Sequence, residues 1–104
     1  MADERTIFAE IEAVLENRAE TRLDRLEHTL TSGYAAALAL EAERWRIERR
    51  IAEAAALVRG RGDGARAEEI ALLARSLSSA EADLERLRTM LKVLRKRAVA
   101  ARAA

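Results

Sequence analysis

Beyond residue 64 the apolar positions fall at Ile70, Leu73, Leu77, Ala80, Leu84, Leu87, Leu91, Leu94, Ala98 and Ala101, with steps of three and four alternating throughout. That is the a/d repeat of a helix with one sustained apolar seam. The same alternation runs earlier through Leu23, Leu26, Leu30, Gly33, Ala37, Leu40, Arg44, Ile47, Ile51, Ala54 and Val58. Upstream the order is Phe8, Ile11, Leu15, Ala19, Leu23, and its successive four-residue steps act as a stutter at which a supercoil relaxes. Between the two long repeats, Arg59-Gly60-Arg61-Gly62-Asp63-Gly64 interrupts the pattern. Each glycine costs roughly 1 kcal/mol in a helix interior and supplies the positive φ that a tight reversal needs. Gly60 suits the C-terminal cap of the first helix. Asp63 suits the N-terminal cap of the second, with Glu68 and Glu69 in a first turn that favours acids.

The pattern predicts a helix over about 4–58, a turn at 59–64 and a helix over about 65–101, in a single domain of 104 residues. Closing the chain at the turn makes residues face each other when their numbers sum to about 124. Ile51 then meets Leu73, Ile47 meets Leu77, Leu40 meets Leu84, Gly33 meets Leu91, Leu30 meets Leu94 and Leu26 meets Ala98. The fold class is therefore all-α, a long antiparallel helical hairpin of coiled-coil type. At ~1.5 Å per residue the first helix reaches about 80 Å and the second about 55 Å, which leaves 1–22 as an overhang. This docking arm still carries an apolar stripe of Phe8, Ile11, Val14 and Leu15, and a helix of its length frays unless something covers it.

Two arrangements cover the arm. In a four-helix-type dimer, two hairpins overlap tail to tail. In a three-helix bundle, the chain breaks at Thr31-Ser32-Gly33 and folds back on itself. Charge separates them. The arm holds Asp3, Glu4, Glu10, Glu12, Glu16 and Glu20, whereas 86–104 holds Arg86, Arg88, Lys92, Arg95, Lys96, Arg97 and Arg102 with no acid. A bend at Gly33 brings the acidic arm beside Glu68 and Glu69; the dimer brings it beside the basic end of a partner. The dimer is the favoured expectation, with Gly33 making room for Leu91.

Composition agrees with long helices. Half of the residues are hydrophobic, mostly Ala and Leu, and over a third are charged, with no proline. The net charge is +1, so the asymmetry between the ends matters more than the total. Without cysteine there is no thiol or thiolate-metal chemistry. No apolar run approaches the ~20 residues of a membrane span, and the N-terminus is charged where a signal peptide is apolar. The expected location is the cytoplasm. Nearly all basic residues are Arg, with Lys92 and Lys96 the only lysines, a bias that fits a GC-rich bacterial coding sequence.

Little in the chain points to catalysis. His28, the only histidine, has Asp24 four residues back and no other ligand type at helical spacing; the pair reads as a surface contact. Arg61-Gly62-Asp63 matches an adhesion tripeptide of the kind that arises by chance in an Arg- and Gly-rich turn, and no Gly-Lys-Ser/Thr follows to make a phosphate loop. There is no Glu-x-x-His pair for a di-iron site. Arg44 takes a seam position, its stem expected on the seam and its head directed to Glu81 and Asp83. Tyr34, Leu38 and Trp45 lie off the seam, as do Met90 and Val93, and together they predict a second apolar strip. With Phe8, Ile11, Val14 and Leu15 they form the expected oligomer interface.

The sequence thus predicts a structural or protein-interaction module that self-associates as a dimer or tetramer, with another helical protein as a further partner class. No enzyme activity, cofactor or metal is expected. The alternative is an anionic-surface or nucleic-acid binder using Arg88, Lys92, Arg95, Lys96 and Arg102. Nucleic acid is the weaker form of it, because no aromatic residues are interleaved with these cations for stacking.

Overall fold

The computed structural model describes residues 4–16, 22–58 and 63–103, and among these every regular element is a helix. The helices are α1 (Glu4–Glu16), α2 (Leu23–Ala56) and α3 (Gly64–Ala103). They group into two compact units. One comprises Met1–Ala39 with Glu85–Ala104, the other Leu40–Leu84.

The expected all-helical architecture stands, but its first helix is drawn differently. In place of one helix over 4–58, α1 ends at Glu16 and α2 begins at Leu23. The break is not at Gly33 either: α2 runs unbroken through Thr31-Ser32-Gly33, and the Thr31 hydroxyl donates back to the Glu27 carbonyl at 3.0 Å. The start of α2 is marked by the Leu26 amide donating to the Arg22 carbonyl at 3.0 Å. Arg22 is a poor capping residue, and Asp24 compensates by accepting a hydrogen bond from the Arg25 amide at 2.9 Å.

The first unit is a three-helix arrangement. Ile7, Ile11 and Val14 of α1 are among the most deeply buried side chains described, together with Leu87 and Leu94 of α3. Phe8, Leu26, Ala37, Leu91 and Ala98 complete this core, and Thr29 is buried within it. A helix lying against two others must bury a wide face. Ile7, Phe8, Ile11 and Val14 provide one, each contributing about 1.5–3 kcal/mol when fully covered. The overhang expected to lack an intrachain partner therefore has one.

Gly33 lies where this packing is tightest. A β-carbon built on it would overlap the end of the Leu91 side chain and come within 3.7 Å of Ile11 Cδ1. Gly33 thus faces Leu91 as the seam arithmetic requires, and it also admits α1.

The second unit is a two-helix hairpin. Its core is Ile47, Leu73 and Ala80, with Ile51 and Leu77 packed against them. These are the residues that the register pairs. Arg44 reaches Glu48 on its own helix at 3.6 Å, instead of the expected acids on the second helix, so its charge is met locally. At the turn, α2 tightens through Leu57 to Ala54 and Val58 to Ala55 amide–carbonyl bonds of 3.1 and 3.2 Å. The Asp63 carbonyl accepts from the Ala67 amide at 3.1 Å, which puts Asp63 at the expected N-cap position. Gly60 and the Arg61-Gly62 part of the tripeptide lie outside the described residues.

Candidate functional site

The basic end of α3 is divided by what each cation touches. Arg86 lays its guanidinium over the Phe8 ring, 4.4 Å from the centroid, and pairs with Glu12 one turn further along α1. Arg97 Nη1 donates to the Val14 carbonyl at 3.2 Å. That carbonyl lies in the last turn of α1, so Arg97 brings a cationic donor from another helix to the negative end of the α1 dipole. Arg102 holds Glu27 of α2 through Nη2 at 2.6 Å and Nε at 2.9 Å. Arg88 is also engaged. Lys92, Arg95 and Lys96 are exposed and form no ion pair among the described residues. Of the five cations proposed as anion contacts, Arg88 and Arg102 are thus already in use, and Lys92, Arg95 and Lys96 are available.

Helical spacing places these groups on two flanks of α3. Arg86, Met90, Val93 and Arg97 recur at steps of four, three and four, and both ends of that stripe bond to α1. Met90, which is half-buried, and Val93 therefore border α1. The other flank is Arg88, Lys92, Arg95, Val99 and Arg102, and its last member pairs with Glu27 of α2. From Glu27, steps of three, four and four lead to Leu30, Tyr34 and Leu38. Tyr34 and Leu38 consequently share a side of the α2–α3 pair with Lys92, Arg95 and Val99. By the same spacing, Met90 and Val93 fall on the flank opposite Tyr34.

On the side opposite α1, then, α2 presents Tyr34 and Leu38, the latter 66% exposed, and α3 presents Val99 at 58%. Lys92, Arg95, Lys96 and Val99 line one shallow concavity on α3. The composition of this face is mixed, with apolar centres edged by cations that form no ion pair among the described residues. Sequence reasoning found its cations and missed Val99, whose signal was its place one turn beyond Arg95 and Lys96.

The other expected interface residues have different fates. Phe8, Ile11 and Val14 are buried inside the chain and Leu15 is half-buried. Trp45 belongs to the second unit. It is 57% exposed, with Arg49 stacked 4.9 Å from its ring centroid, and it lines a shallow surface with Arg46, Arg50 and Glu53. Arg46 is held by Glu43 at 2.6 Å and Arg49 lies 3.7 Å from Glu53. Leu72, 59% exposed, was also missed.

Asp24, the expected partner of His28, lies 3.7 Å from Arg22. Among the described residues no group of three or more His, Cys, Asp or Glu is placed to hold a metal, and no helix is long and apolar enough to cross a membrane. No family, curated protein or solved structure matches the chain.

Proposed function

We propose that this chain is a non-catalytic helix-packing module that self-associates through its second unit. The observation that supports this is the contrast between the two units. In the first, α1 covers the α2–α3 pair. The second has no third helix of its own among the described residues and leaves Trp45 and Leu72 in solvent. Two-helix units with apolar residues outside their seam commonly pair into four-helix arrangements. Of the expected interface residues this reading keeps Trp45 and adds Leu72, both exposed on the hairpin of Leu40–Leu84.

Light scattering after size exclusion tests this at low and high salt. The expected mass is that of two or four chains, lowered to one chain by Trp45→Asp combined with Leu72→Asp. A single-chain mass for the unsubstituted protein at high micromolar concentration would exclude the reading.

The alternative, an anionic-surface binder, keeps Lys92, Arg95 and Lys96 as its contacts. Its mark is affinity that falls steeply with salt. A cytoplasmic location is part of the same proposal, and fractionation of the source cells tests it.

A further inference from the structure

We infer that the face of the first unit opposite α1 is a docking surface for an acidic amphipathic helix of another protein. The chain itself supplies the precedent. On one flank, the α2–α3 pair already holds an acidic amphipathic helix, its own α1. That helix inserts Ile7, Phe8, Ile11 and Val14 and gives Glu12 to Arg86. The opposite flank repeats the ingredients with no occupant among the described residues. Tyr34, Leu38 and Val99 are the exposed apolar anchors, and Lys92, Arg95 and Lys96 are cations without an ion pair among the described residues.

Charge complementarity selects the occupant. A second copy of this face would bring its own Lys92, Arg95 and Lys96 against the first set, and like charges in contact disfavour such pairing. A helix with Leu or Ile at i, i+3, i+4 and i+7 and with Glu at the edges satisfies both components. Docked there, it would complete a four-helix arrangement in which α2 and α3 are central. The inference does not depend on self-association through the second unit, because the residues differ.

The test uses the full chain, ¹⁵N-labelled, titrated with a blocked synthetic peptide of about four helical turns carrying Leu on one face and Glu on the rest. Shifts are expected at Tyr34, Leu38, Lys92, Arg95, Lys96 and Val99, with Ile7 and Ile11 unmoved. Leu38→Asp should abolish binding, and Lys92→Glu with Lys96→Glu should weaken it at least about tenfold. These side chains are exposed, and a thermal melt checks that each variant stays folded. The charge-reversed chain should in turn bind a Lys-for-Glu version of the peptide.

Absence of binding at millimolar peptide, insensitivity to both variants, or shifts centred on α1 would each overturn the inference. So would binding of phosphatidylglycerol vesicles or a single-stranded oligonucleotide at this face in place of the peptide.

Discussion

Gly33 shows how much one absent side chain decides. Alanine in its place gains roughly 1 kcal/mol of helix propensity, but its methyl group must displace Leu91, and overpacking costs typically 1–3 kcal/mol. Gly33→Val adds further bulk facing both Leu91 and Ile11. It is expected to lower stability by at least about 2 kcal/mol in urea denaturation. The diagnostic measurement is a double-mutant cycle. In a Leu91→Ala background the same valine should cost far less, giving a coupling of more than about 1 kcal/mol. Additive effects would mean that Gly33 is required for something other than this contact. Arg97 is a second informative residue. Arg97→Met keeps the stem and removes the donor to the Val14 carbonyl, so it is expected to cost about 1 kcal/mol and to speed amide exchange in α1 before the rest of the first unit. The Arg86–Glu12 pair is half-exposed on both sides. Glu12→Gln should change stability by under about 1 kcal/mol.

At the scale of elements, α2 and α3 are legible in the sequence and the boundary between α1 and α2 is not. The pairing follows from steps of three and four on both strands of the hairpin, and the Gly33–Leu91 and Ile47–Leu77 layers fall where the arithmetic puts them. The break is hidden because Leu15, Ala19 and Leu23 continue the apolar rhythm across it, and no Gly or Pro punctuates it. Two separate helices and one relaxed supercoil give the same spacing there. The weaker signal was Asp24, an acid in the first turn of α2. A further sign was the width of the Ile7-Phe8-Ile11-Val14 face, broader than a two-helix seam uses. The candidate site was legible in its cations alone. Which of them are spent on α1 and Glu27 depends on a fold-back that periodicity does not encode. Replacing Ile11 with Asp should undock α1, with a loss of helical circular dichroism corresponding to about one short helix. The buried Ile47–Leu73–Ala80 cluster of the other unit should keep its exchange protection.

For the whole molecule, near-neutrality arises from ends of opposite sign that meet in the Glu12–Arg86 pair. The sequence reading placed the acidic arm against the basic 86–102 segment of a partner; the observed contact is with the same segment of its own chain, made by Glu12 with Arg86 and by the Val14 carbonyl with Arg97. Because the paired charges are exposed, salt should screen them at modest cost. Raising ionic strength from low to physiological levels should shift the melting temperature by only a few degrees, on the order of 1 kcal/mol, and a collapse of helicity would contradict that assignment.

The two bonds that fasten α1 to α3 span 74 and 83 residues. Synthesis runs from the N-terminus, so α1 leaves the ribosome well before its partners on α3. Throughout that interval Ile7, Phe8, Ile11 and Val14 have nowhere to go, while the hairpin of Leu40–Leu84 can close on local contacts. A stalled chain ending before residue 85 should therefore bind general chaperones through α1 and be cleaved there by added protease. Extending the chain through residue 103 should abolish both at once, which makes synthesis of α3 the event that hides α1.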